Sequence, residues 1–96
     1  MQLEIITPEA EIFSGEAEAV QFPGLNGGFQ VLSNHAPIIS ALSNGVVKVN
    51  LDKAFAESDN TSDMIKVDKS NKNVIRIDIK GGVMEMLNNK IIVLAE

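Results

Sequence analysis

Histidine occurs once in the sequence, at His35 within Asn34-His35-Ala36-Pro37. A Ser–His–carboxylate relay needs an imidazole beside a hydroxyl nucleophile and an orienting acid. No nucleophile-elbow motif is present and the serines stand in turn contexts, so His35 reads as a structural or interface residue. A zinc site is disfavoured on similar grounds, because one imidazole has no second nitrogen ligand near it and cysteine is absent. Glu9, Glu11, Glu16 and Glu18 are candidates for an acid–base pair. Glu16 and Glu18, two apart on a strand, face the same way, and without an apolar pocket to raise a pKa they make a solvated face. Asp59, Asp63 and Asp68 lack the residue order of a calcium loop. Asn60-Thr61-Ser62 matches the glycosylation acceptor pattern, but the N-terminus Met1-Gln2-Leu3-Glu4-Ile5 has no secretory signal character.

Pro23-Gly24-Leu25-Asn26-Gly27-Gly28-Phe29 is glycine-rich and invites comparison with a phosphate cradle. It lacks the Gly-Lys-Ser/Thr ending of a P-loop, and no helix follows to supply a positive dipole. An exposed loop between strands is the reading that remains, and such loops are where docking residues gather. No catalytic, cofactor-binding or metal-ligating residue is assigned, and no cofactor is expected.

The elements that must position these segments are strands. In Ile75-Arg76-Ile77-Asp78-Ile79-Lys80 every second residue is isoleucine and the others are charged, the mark of a half-buried strand. Val47, Val49 and Leu51 repeat the alternation with Lys48 and Asn50 outward, as do Leu3 and Ile5 with Gln2 and Glu4. Turn signals at Thr7-Pro8, Ser14-Gly15, Pro23-Gly24, Gly27-Gly28, Asn44-Gly45, Gly81-Gly82 and Asn88-Asn89 predict short antiparallel strands. Leu87-Asn88-Asn89-Lys90 predicts a tight hairpin joining Val83–Leu87 to Ile91–Ala95, since Asn tolerates positive φ. Between Glu11 and Phe22 the parity breaks, which predicts a bulge or a strand passing from one sheet to the other. Asp52–Asn73 reads as a polar insertion, with Met64–Val67 as a short strand and Ala54–Ala56 as at most one helical turn. The whole is expected to be one domain, residues 1–96.

The formal charge of −5 argues against nucleic acid and against an anionic lipid surface, both of which are held through Lys and Arg. No run approaches a transmembrane length, so direct membrane insertion is not expected. With the residue patterns of an active site missing and a strand framework with one glycine loop well specified, the sequence favours a binding or structural module over an enzyme.

Four groups of residues carry a family resemblance. Thr7-Pro8-Glu9 precedes Ile12-Phe13-Ser14-Gly15-Glu16, and Phe22-Pro23-Gly24 leads through Gly27-Gly28 to Val31-Leu32-Ser33-Asn34-His35-Ala36-Pro37-Ile38. Leu42 is followed by Gly45 and Val47-Lys48-Val49, and Ile79-Lys80-Gly81-Gly82-Val83-Met84-Glu85-Met86 runs into Asn89-Lys90-Ile91-Ile92-Val93-Leu94-Ala95-Glu96. Their order resembles the N-terminal domain of the F-type ATP synthase epsilon subunit, from Leu3 to Glu96. The resemblance implies an all-β, flattened antiparallel β-sandwich of about ten short strands. It also implies a non-catalytic rotor subunit that binds the gamma subunit and the polar loops of the c-ring, coupling rotation to ATP synthesis. The location it implies is peripheral, on the cytoplasmic face of the bacterial inner membrane.

Carried over by position, Gly24, Leu25, Asn26, Gly27, Gly28 and Phe29 become the candidate c-ring contact. Asn34, His35, Pro37 and Ile38 become the candidate gamma-facing surface. The sequence departs from the family at Gln30, where Gly is common, at Ser33, where Pro is common, and in a longer Asp52–Asn73 segment. It stops at Glu96, ahead of the family's helical hairpin, so the braking of hydrolysis and the ATP binding of that hairpin are not carried over. The competing readings are a generic β-sandwich module for a glycan or protein partner, and a small hydrolase centred on His35.

Overall fold

The computed structural model describes residues 1–96 as nine strands without a helix. These are β1 (Gln2–Ile6), β2 (Glu11–Gly24), β3 (Gly27–Leu32), β4 (Ile38–Leu42), β5 (Gly45–Leu51), β6 (Ile65–Val67), β7 (Val74–Ile79), β8 (Gly82–Leu87) and β9 (Lys90–Ala95). The expected sandwich is present. All ladders are antiparallel except β1 with β9, which pair in parallel with Leu3 opposite Ile91.

β2 organises the molecule. Its first half pairs with β1, and its second half pairs with β3 on one side and β5 on the other. One wall therefore runs β4-β8-β9-β1 into the start of β2, and the other runs β3-β2-β5-β7-β6. Gly24 at the end of β2 meets Leu42 of β4, which joins the walls again at the far side.

The parity break has two physical origins. Opposite β1 the register steps from Ile5↔Phe13 to Ile6↔Glu11, leaving Ile12 as an extra residue, so Ile12 and Phe13 are both buried. Opposite β5, Ala17↔Leu51 is followed by Ala19↔Asn50, so Glu18 is extra, and just beyond it Ala19 and Val20 are both buried. A bulge adds one residue and bends the strand, which lets β2 serve both walls.

Between the walls lies a core of 22 buried residues, including Leu3, Ile5, Val20, Phe22, Val47, Val49, Ile75, Ile77, Met84, Met86, Ile91 and Val93. The alternations at 75–79 and 47–51 bury their apolar members as expected. The β8–β9 hairpin turns on Asn88 and Asn89 with φ of 51° and 60°.

The Asp52–Asn73 segment is non-helical throughout, Ala54–Ala56 included, and contains only β6 as regular structure. It is pinned to the body at Phe55, whose ring lies 6.3 Å from that of Phe13 and whose N–H donates to the Lys72 carbonyl at 2.8 Å. Its second anchor is Asp68. One carboxylate oxygen accepts from Arg76 Nη1 at 2.8 Å, and the other accepts from the backbone N–H groups of Ser70 and Asn71 and from the Ser70 hydroxyl.

These contacts, the Arg76 bond foremost, hold the Asp68 carboxyl well below the usual carboxylate range. A depressed folded-state pKa means that the unfolded chain takes up the proton first as pH falls. The stabilisation is complete above the unfolded value of about 4 and is lost below it. Asp68→Asn is thus expected to be less stable than the parent at pH 7, with the gap narrowing towards pH 3 in chemical denaturation. A gap independent of pH would remove the ionised carboxylate from the account.

Candidate functional site

The glycine-rich segment is the hairpin between β2 and β3. Leu25 and Asn26 form its tip, with Gly24 paired to Gly27 and Phe22 to Phe29. The Phe22 and Phe29 rings pack 5.5 Å apart, so Phe29 is a half-buried prop beneath the loop and not part of its exposed surface. Gly24 is required by close approach: a Cβ there would sit 2.6 Å from the Gly27 carbonyl oxygen and 2.9 Å from the Phe29 ring. The neighbouring β4–β5 turn braces the hairpin. Ser43 donates to the Pro23 carbonyl through its N–H at 2.7 Å and its hydroxyl at 3.1 Å. What remains outward is Leu25, 64% exposed, with Asn26, Gly27 and Gly28. This tip has no charged side chain and no backbone cradle closed by a helix.

The His35 segment lies at the other end of β4, roughly 15 Å away at the rise of a strand. Asn34 has φ of 66°, and its N–H donates to Asn89 Oδ1 at 2.7 Å, which ties the segment to the β8–β9 turn. His35 is exposed, and its Nδ1 donates to the adjacent Ala36 carbonyl at 2.6 Å. That bond is to backbone, and neither a hydroxyl nor a carboxylate is paired with the ring. Ile38 is half-buried against the core, whereas Ile39 beside it is 70% exposed. The structure therefore keeps the two candidate segments apart, one at each end of β4.

A third feature joins them. On the outer face of the wall, cross-strand registers align Ala41, Val83, Leu94 and Ile6 in one row across β4, β8, β9 and β1. The next row is Ile39, Glu85, Ile92 and Glu4, and the next is Leu87, Lys90 and Gln2. Val83, Leu87 and Leu94 are each at least 44% exposed, so this is an apolar sheet face open to solvent. Contiguous exposed apolar surface of this kind marks a protein–protein contact. Residue-by-residue reading misses it, although a signal was available. Ile91-Ile92-Val93-Leu94-Ala95 is apolar without alternation, and a strand with that pattern is covered on both faces.

No group of His, Cys, Asp and Glu side chains converges as a metal site. No helix is long and apolar enough to cross a membrane. All four phenylalanines are buried or half-buried, which leaves no aromatic platform for stacking a sugar ring.

Residues 1–58 match the family described as ATP synthase, Delta/Epsilon chain, beta-sandwich domain. The ATP synthase epsilon chain of Chlorobaculum tepidum is 40% identical over 94 residues, covering 98% of this chain and 86% of the relative. That of Chlorobium limicola is 37% identical, with 99% and 88% covered. The epsilon chain of Campylobacter hominis is 37% identical over 97% of this chain, which spans 58% of that relative. Among solved structures, a chain in the central stalk and c-ring of the Tetrahymena thermophila mitochondrial ATP synthase superposes with a TM-score of 0.69. Its sequence identity is 12%, over 98% of this chain and 61% of that one, so it supports the fold alone.

Proposed function

Because this chain belongs to the ATP synthase epsilon-chain family, we propose that it is a non-catalytic central-stalk subunit of the proton-translocating F-type ATP synthase. In this role it links the gamma subunit to the c-ring and so couples rotation to ATP synthesis. The complex is membrane-associated, and we place this subunit peripherally on the cytoplasmic face of the bacterial inner membrane. Residues 1–96 carry the role as one β-sandwich domain.

The observation that carries this reading is the exposed apolar face of β4, β8, β9 and β1. It gives gamma a surface to cover, bordered by Asn34, His35, Pro37 and Ile38 at one end. The Leu25–Asn26 hairpin, with Gly24, Gly27, Gly28 and Phe29 shaping and propping it, is the c-ring contact at the other end. Two partners at opposite ends of β4 suit a coupling piece. A glycan-binding role lacks an aromatic platform, and a hydrolase lacks a partner for His35.

The test is association of the purified chain with purified gamma at micromolar concentration, read by size exclusion and calorimetry. Stable complex formation is expected, and Leu94→Asp should weaken it more than tenfold, on the order of the cost of covering an unpaired carboxylate. Leu94 is 56% exposed and lies between Val83 and Ile6, so the thermal midpoint of the isolated chain should hardly move. A chain that does not bind gamma under these conditions overturns the assignment.

A further inference from the structure

One charged side chain stands inside the apolar face. Glu85 is exposed on β8, directly opposite Ile39 on β4 and Ile92 on β9, with Val83 and Leu87 two residues away along its own strand. Apolar side chains thus surround it on all four sides of the sheet lattice. It forms no ion pair and no side-chain hydrogen bond. The nearest cation of the face, Lys90, is engaged with Glu4 at 3.4 Å. Glu85 also rims two shallow depressions, of about 390 Å³ beside Pro37 and Ile39 and about 290 Å³ beside Lys90 and Ile92.

A partner that covers this face must remove water from Glu85. If its covering surface were apolar throughout, the carboxylate would be buried without compensation, which opposes binding strongly. A cation brought against it converts the same desolvation into a charge-assisted hydrogen bond in a medium of lowered dielectric. The sign of the surroundings agrees. Glu4, Glu16 and Glu11 lie at the β1–β2 end of the successive rows, with the Met1 amine 3.9 Å from Glu16, so the face is acidic apart from Lys90 and that amine.

We propose that Glu85 determines the specificity of the gamma-docking face by receiving a Lys or Arg side chain of gamma, which lies in the depressions flanking it. This rests on the assignment of gamma as the partner. It adds that the contact is apolar with one obligatory cation, which fixes where along the face the partner sits. A register shift by two residues on β8 would place that cation over Val83 or Leu87.

The experiment is calorimetric titration of gamma into the parent chain, Glu85→Gln and Glu85→Leu, each at low and at physiological salt. Glu85→Gln is expected to weaken binding about tenfold or more and to flatten the salt dependence. Glu85→Leu should also weaken it, despite enlarging the apolar surface, because it strands the partner's cation. If either variant binds as tightly as the parent or more tightly, Glu85 is only a penalty on the face and the proposal is overturned. Failure of the parent chain to bind gamma refutes the partner assignment and this inference together, and is thereby distinct from failure of the variants alone. Circular dichroism melts of the variants, expected to match the parent at this exposed position, separate a binding effect from a folding one.

Discussion

Gly82→Ala is expected to destabilise the domain by about 3 kcal/mol or more, a large share of the 5–15 kcal/mol typical of a small domain. Gly82 opens β8 with φ of 148°, a region that side-chain-bearing L residues rarely enter. It pairs with Leu42 on one side and Ala95 on the other, so neighbouring backbone hems it in from both. A Cβ would collide with the Leu94 carbonyl oxygen and come within 3.0 Å of the Ala95 Cα. Neither atom is the end of a flexible side chain, so relief requires β9 to move away from β8. That movement would open the wall carrying the proposed gamma-docking face, and binding there should fall with stability. Gly28→Ala is the control: the added methyl would meet only the Phe22 carbonyl oxygen at 3.6 Å, an ordinary contact. Its effect should be within about 1 kcal/mol. Urea denaturation of both variants decides the matter, and similar losses for the two would sink the steric account.

Phe22→Ala is the second large expectation. Phe22 is 2% exposed at the point where β2 has β3 on one side and faces the core on the other. Truncating a buried phenylalanine costs about 3–5 kcal/mol through lost transfer energy and the cavity left behind. The consequence reaches the Leu25–Gly28 loop, the proposed c-ring contact, because Phe29 packs on Phe22 and Gly24 packs on Phe29. Amide exchange at Leu25–Gly28 should therefore accelerate beyond what the global loss of stability accounts for. Phe22→Leu, which keeps most of the volume, should cost about 1.5 kcal/mol or less and leave the loop nearly as protected. Exchange that rises equally everywhere in Phe22→Ala would detach the loop from this prop.

The strands of the second wall were legible because their environment is simple. Ile75, Ile77 and Ile79 have core on one side and water on the other, so period two appears directly in the residue types. The Asn88-Asn89 turn was legible because positive φ selects asparagine. In β2 the broken parity announced a bulge, but two bulges share the strand, at Ile12 and Glu18, and only pairing with β1 and β5 separates them. The exposed apolar face was hidden for a related reason. An apolar residue reads as core wherever it stands, so Ile39, Val83 and Leu94 look no different from Ile38, Met84 and Val93 until the register gives each a side. The Asp52–Asn73 segment read correctly as a loop with one short strand. Its attachments through Phe55 and Asp68 depend on contacts with Phe13 and Arg76, which no local pattern encodes.

The parallel pairing of β1 with β9 sets an order of assembly. Leu3 and Ile5 are fully buried, yet the strand paired beside them, β9 (Lys90–Ala95), is the last of the nine in chain order to be synthesised. Until then β1 can pair only with β2, and the apolar undersides of both lie open to solvent or to chaperones. Contacts that join the two extremes of a chain also close the longest loops, which slows folding relative to proteins built from local pairs. The nascent domain is thus committed to wait for its final strand, and translation rate and chaperone supply bear on its yield more heavily than on that of a helical chain of equal length.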